Sequence, residues 1–298
     1  MAIRAWLLAL QAPLFMIVLI PALVGAAAAW REGATIVPGQ LGIVLLALVM
    51  VQAGANLQKG LRESADRRGG PSDHVPSIFI YDSGSVEALG WSRSRLGWLT
   101  LAFFATGGLA GAYLLFIHRD PVLLALVVAG AILSFFYNAP PLKFSFRGIS
   151  EIPTFLAFGP LLVMGVAYLF SGAFLESAFW AGVIMGFLAS LIYYERYFPV
   201  ALEDEGRGKR TPVVILGPEG ATKVLWRTLT GPYLIALIFG FLGERSLLLF
   251  MATLPLGVAF VHFHLRALLN RDVFGISTGL AVLLHVAGGT LLALGYLL

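Results

Sequence analysis

Charge is scarce in this chain of 298 residues, and cysteine is absent. Only 12% of residues are Asp, Glu, Lys or Arg, against roughly 25% in a typical soluble domain, which excludes the charged surface that a water-soluble fold requires. The lack of cysteine excludes a disulfide framework and any thiolate chemistry. No Asn-x-Ser/Thr acceptor occurs, and the five histidines never fall in a His-Glu-x-x-His spacing, so that form of helix-borne zinc site is excluded. The excess of base over acid is small, a formal +4. It lacks the basic patch set in a soluble reading fold by which nucleic-acid binders are known, and no nucleic-acid partner is expected.

What the chain has in abundance is apolar sequence, 59% of its residues. A helix needs about 20 mostly apolar residues to cross the hydrocarbon layer. Nine stretches qualify: 5–29, 41–58, 98–117, 122–137, 153–170, 178–194, 225–242, 246–266 and 273–298. The first follows Arg4 and begins like a signal peptide, but it is too long, and Gln11 and Pro13 interrupt it; it is expected to be a retained span. The reading is an all-α polytopic protein with nine transmembrane helices in a single domain, residues 1–298, in the inner or cytoplasmic membrane. With the N-terminus cytoplasmic, every Lys and Arg except Arg31, Arg119 and Arg245 falls on the cytoplasmic face. That bias fixes the orientation and puts the C-terminus outside.

Three cytoplasmic segments stand out: 59–97, 138–152 and 197–224. The first holds Arg62, Glu63, Asp66 and Arg67, with Gly69, Gly70 and Pro71 as breakers. The second follows Tyr137 and runs through Lys143 and Arg147 to Glu151, and the third holds Asp204, Lys209 and Arg210. Connections this long are functional or unstructured. Polar rims around one mouth of an apolar bundle suit a substrate with a charged head and a greasy tail. Each residue also has a plainer reading: cations anchoring the cytoplasmic face, Glu151 paired with Arg147, and Gln52 and Asn56 in helix-to-helix hydrogen bonds. Thr211-Pro212 is placed to open a helix. His262 and His264 are read as interfacial and His285 as a packing hydrogen bond. The pairs Gly107/Gly111 and Gly182/Gly186 have the spacing of close helix packing.

The segment Tyr137, Pro140, Pro141, Leu142, Phe146, Arg147, Gly148, Glu151 and Phe158-Gly159-Pro160 resembles a motif of the UbiA superfamily of intramembrane prenyltransferases. A second match is Gly208-Lys209-Arg210-Thr211, continuing through Val213, Val214, Leu216 and Gly217. The resemblance covers essentially the whole chain and is strongest to the branch that prenylates 1,4-dihydroxy-2-naphthoate.

The resemblance implies two acid-rich motifs, after the second and sixth spans, that hold Mg2+ against an isoprenyl diphosphate. It assigns Asn56, Glu63 and Asp204 to catalysis, and Glu63, Asp66 and Asp204 to the metal. Arg67, Lys209 and Arg210 are assigned to the diphosphate, and Tyr137, Lys143, Arg147 and Glu151 to a lipophilic aromatic acceptor. The chain departs from the pattern: Gly60 and the pair Pro199-Val200 stand where the family carries acids and an Arg-Asp pair. Beside the transferase reading stands a non-catalytic relative that binds an isoprenoid quinone or pigment, or serves in a larger membrane complex.

Overall fold

A computed structural model of the chain describes residues 2–65, 79, 84–138 and 141–298. Every regular element among them is helical, as the hydrocarbon demands, because a helix satisfies its own backbone polar groups where water is missing. The helices are α1 Ala2–Ala9, α2 Met16–Arg31, α3 Pro38–Ala65, α4 Gly84–Glu87, α5 Arg93–His118, α6 Pro121–Asn138, α7 Glu151–Phe158, α8 Pro160–Ser171, α9 Glu176–Glu195, α10 Ala201–Gly206, α11 Pro212–Leu242, α12 Leu254–Leu269 and α13 Phe274–Leu297. Among the described residues, eight helical spans are long and apolar enough to cross a membrane, and Pro121–Tyr137 is a shorter apolar helix. Large apolar side chains such as Leu109, Phe116, Phe241 and Val258 face outward, where lipid receives them.

Two expected spans are broken. The first divides at Leu10–Phe15, where Gln11 takes a left-handed conformation (φ 50°, ψ 44°) and a 3-10 turn carries Ala12–Phe15 into α2. Pro13 has no amide hydrogen for a helical bond, and Leu14 N–H donates to Gln11 O at 2.8 Å, leaving Leu10 O without its usual helical partner. The fifth span divides at Gly159 between α7 and α8. Two connections prove more helical than expected. α3 runs on through Lys59 to Ala65, since a single glycine, Gly60, is tolerated inside a helix. Most of 197–224 is helix as well, with α10 inside it and α11 opening at Pro212 behind Thr211.

α9 is the hub, packed against α2, α7, α8, α11 and α13. Small residues allow this. A Cβ on Gly182 would come within 2.8 Å of Pro160 Cα, and one on Gly186 within 2.6 Å of Phe155 O, so the close-packing reading of that pair holds. Gly107 also packs closely, a Cβ there lying 2.7 Å from Val51 Cγ2, but nothing lies within 4 Å of a Cβ on Gly111. α3 and α5 pair beside this hub, with α6 near them. Between that group and α8 is an apolar chamber of ≈310 Å³, walled by residues including Val44, Leu114, Leu123, Gly165 and Leu169.

Behind α9 is a buried polar knot. His264 Nδ1 lies 2.7 Å from Glu195 Oε2, Ser277 Oγ donates to Glu195 Oε1 at 2.5 Å, and Thr222 Oγ1 lies 3.1 Å from His264 Nε2. His264 is therefore not interfacial: it is fully buried, in edge contact with Phe198 and Trp226. His285 is fully buried beside the Met16 backbone.

Candidate active site

A polar cavity of ≈50 Å³ lies at the end of the apolar chamber, lined by Gln11, Gln52, Asn56, Lys59, Tyr137, Tyr193 and Arg196 among others. Gln52, Ser134, Ala157 and Phe158 line both spaces, so a polar head space continues into a greasy channel. Its aromatic wall is ordered: Phe158 stacks on Tyr193 at 5.8 Å, and Tyr137 meets Tyr193 edge-on at 6.2 Å.

The break in the first span explains what Asn56 does. Asn56 Nδ2 donates to the freed Leu10 O at 2.8 Å, and Gln52 Nε2 donates to Asn56 Oδ1 at 3.3 Å. Asn56 thus ties α3 to the break and holds Gln11 in place. Arg196, at the end of α9, donates to Gln11 Oε1 at 2.5 Å, with its guanidinium 5.7 Å from the Tyr193 ring centre.

From Tyr137 a line of hydroxyls leads out of the cavity. Tyr137 Oη lies 3.5 Å from Tyr197 Oη, which lies 2.7 Å from Ser150 Oγ, and Ser150 donates to Glu151 Oε1 at 3.1 Å. With each hydroxyl donating to the next, the line ends on a carboxylate. Glu151 is therefore not paired with Arg147, which instead donates to Pro141 O at 2.9 Å. The turn at 144–148 directs the guanidinium back along its own loop.

The two sequence motifs touch. α10 ends in a Schellman turn: Gly208 N–H bonds Glu205 O at 2.9 Å, Lys209 N–H bonds Asp204 O at 2.8 Å, and Gly208 supplies the left-handed φ of 72°. That turn folds Lys209 back onto its own helix, where Nζ lies 3.1 Å from Asp204 Oδ1 in a nearly buried pair. Lys209 and Lys143 both approach the Phe146 ring, at 5.4 and 5.5 Å, and Arg210 N–H donates to Phe146 O at 3.2 Å. Gly148 (φ 72°) sits so close that a Cβ would be 2.7 Å from Arg210 O, the reason Arg147 is followed by glycine.

Of the residues expected from the sequence, Asn56 and Tyr137 line the cavity; Lys143, Arg147, Glu151, Asp204, Lys209 and Arg210 do not. Asp66 and Arg67 lie outside the described residues, as does the side chain of Glu63. Among the described residues no three His, Asp or Glu side chains cluster tightly enough to hold a metal by themselves.

No family model matches the chain. Across 98% of its length it is 26% identical to the 2-carboxy-1,4-naphthoquinone phytyltransferase of Synechocystis sp., of which the alignment covers 93%. It is 28% identical to the chloroplastic protein of that name from Arabidopsis thaliana, over 96% of this chain and 75% of that one. In structure it matches a UbiA homologue from Archaeoglobus fulgidus bound to GPP and Mg2+, with a TM-score of 0.63 at 18% identity over 96% of this chain and 99% of that one. The chain has a UbiA-like fold and is similar over nearly its whole length to these phytyltransferases. A second UbiA homologue, the apo protein of Aeropyrum pernix K1, matches with a TM-score of 0.67 at 15% identity over 93% of this chain and 96% of that one.

The cavity of this UbiA-like fold is furnished largely by residues outside the two sequence motifs. Gln11, Arg196 and Ser134 were not among the expected site residues. Gln11 had a visible signal, a lone amide beside Pro13 in an apolar run, as did Arg196 within Tyr193-Tyr194-Glu195-Arg196-Tyr197.

Proposed function

We propose that this integral membrane protein is a Mg2+-dependent prenyltransferase, moving an isoprenyl group from its diphosphate to a bicyclic aromatic acceptor of naphthoquinone type. The observation that carries the reading is the polar cavity continuous with the apolar chamber. The apolar chamber suits the hydrocarbon tail of the donor, and the polar cavity beside it suits the polar ring of the acceptor, with the diphosphate outside the cavity at Asp204 and Lys209. The names of the curated relatives supply the acceptor class.

The reaction is an electrophilic substitution. The allylic C–O bond breaks and its electron pair leaves with the diphosphate. A ring carbon of the acceptor forms the new C–C bond, and the ring then expels a proton or, where that carbon carries a carboxylate, carbon dioxide. Tyr137, Phe158 and Tyr193 present aromatic faces that steady positive charge and exclude water from the cation. Tyr137, Tyr197 and Ser150 pass an acceptor proton towards Glu151, a general base reached through hydroxyls. Lys209 and Arg210, with Arg67, brace the departing diphosphate, and Lys143 and Arg147 border the acceptor's side of the mouth.

Mg2+ takes one or two carboxylates and fills its remaining positions with water and substrate phosphate. Asp204 would hold it, with Glu63 and Asp66 from the other acid-rich segment, and Mg2+ supplies charge neutralisation on the diphosphate. Asn56 serves the site by holding the helix break.

Titration of geranylgeranyl diphosphate into detergent-purified protein tests this reading. Binding is expected to need Mg2+, to collapse on chelation and to weaken at least tenfold in Asp204→Ala. Binding of equal strength with and without the metal would refute it.

A further inference from the structure

Gln11 is a buried side chain, 3% exposed, on the wall of the polar cavity. Two features of it are costly. Its backbone is in the left-handed region, at φ 50°, which residues with a side chain adopt only where the surroundings impose it, often at binding sites. Its amide nitrogen is buried and has no hydrogen-bond partner among the described residues, and buried polar groups left so are rare. The orientation of the amide is fixed by chemistry. The Arg196 guanidinium has donors only, so the oxygen of Gln11 must be the atom it meets at 2.5 Å, and the NH2 group is turned away from it.

The rest of the wall has a consistent sign. Lys59 and Arg196 line the cavity, and no carboxylate does among its described lining residues. An amide NH2 lacking an acceptor, a fixed guanidinium beside it and flat aromatic neighbours fit a planar oxyanion on a flat ring. We propose that Gln11, held by Arg196 and by the Asn56 tie to Leu10, donates to the carboxylate of an aromatic acceptor. Gln11 is then a specificity-determining residue for an acceptor that carries a ring carboxylate. This rests on the transferase reading above for the presence of an acceptor in this cavity. A planar fork suits a carboxylate better than the tetrahedral oxygens of a diphosphate, whose place is argued above to be at Asp204 and Lys209.

The test is equilibrium binding by quenching of tryptophan fluorescence, with no turnover required. Two probes are compared, 1,4-dihydroxy-2-naphthoate and the same ring without its carboxylate, 1,4-dihydroxynaphthalene. The wild-type protein should bind the carboxylate form at least tenfold more tightly. Gln11→Leu should lose most of that preference. Gln11→Glu, the same size and still able to meet Arg196, should abolish or reverse it while melting like the parent. Geranylgeranyl diphosphate binding should be unchanged in both variants. If the preference for the carboxylate survives in Gln11→Glu, or if the variants weaken the diphosphate and not the naphthoate, the proposal is overturned. Failure of the transferase reading would look different: neither naphthalene probe would bind the wild-type protein.

Discussion

A leucine in place of Gly165 should shorten the donor that the protein accepts. Gly165 lies on α8 and lines the apolar chamber, and nothing lies within 4 Å of a Cβ built there. The added side chain therefore meets no protein atom at its root and extends into space that a prenyl tail would fill. If it displaces one five-carbon unit from the chamber, the loss is about 0.8 kcal/mol per buried methylene, or about 4 kcal/mol at most. At about 1.4 kcal/mol per factor of ten, that is an upper bound of about a thousandfold in kcat/KM for donors that reach this point. Partial displacement brings it nearer tenfold. Donors too short to reach Gly165 should be unaffected. The assay is kcat/KM across a series from dimethylallyl to geranylgeranyl diphosphate. Gly107→Leu is the contrast: its Cβ would lie 2.7 Å from Val51 Cγ2 and 3.0 Å from Ala47 O, so it should destabilise the protein and depress every donor alike. An unchanged donor profile in Gly165→Leu, or a uniform fall, would show that the chamber does not hold the tail.

Other consequences follow from the same coordinates. Glu195→Ala removes the carboxylate that His264 and Ser277 meet in a buried knot; leaving a buried polar group unsatisfied costs about 1–3 kcal/mol. Thermal unfolding in detergent should show it, and a loss under about 1 kcal/mol would contradict the assignment. Lys209→Gln should lower kcat about a hundredfold by the usual worth of one positioned charge at a leaving group, with little change in acceptor KM; an unchanged kcat would remove Lys209 from the diphosphate. At the far end of the bundle, Asp120 caps α6, accepting from Val122 N–H at 2.7 Å and Leu123 N–H at 3.1 Å, and from the Tyr168 hydroxyl at 3.0 Å. The Leu123 bond above all, then those of Tyr168 and Val122, hold its carboxyl below the usual value. A lowered folded pKa gives stability that is present above the unfolded value, about 3.9, and is lost as pH falls through the folded one. The melting-temperature gap between wild type and Asp120→Ala should therefore be open at pH 7 and narrow below about pH 4.

Apolar run length decided the architecture in advance, because the bilayer leaves a chain few alternatives. The helix start at Pro212 and the packing at Gly182 and Gly186 were legible for local reasons: proline at the first helical position, and small residues one turn apart. Other features depend on atoms far apart in sequence. Nothing near His264 announces that Glu195, 69 residues away, will meet it. The Arg147–Glu151 pair was a reasonable reading of spacing, yet the left-handed turn at Gly148 and the hydroxyl of Ser150 redirect both partners. Asn56 was visible as a polar residue in an apolar helix, but its task depends on a carbonyl freed by the break at Leu10. Residues from the break after α1, from α3, α6 and α7, and from the end of α9 meet only in three dimensions, which is why the cavity owes more to Gln11 and Arg196 than the motifs suggest.

The most direct test is product formation. Purified protein, geranylgeranyl diphosphate, 1,4-dihydroxy-2-naphthoate and Mg2+ would be incubated in lipid nanodiscs and the extract analysed by mass spectrometry. A prenylated naphthalene product that appears with Mg2+, disappears on chelation and is lost in Asp204→Ala is the predicted result. Tight binding of both substrates with no prenylated product under any metal condition would contradict the account and leave a carrier where a transferase was inferred.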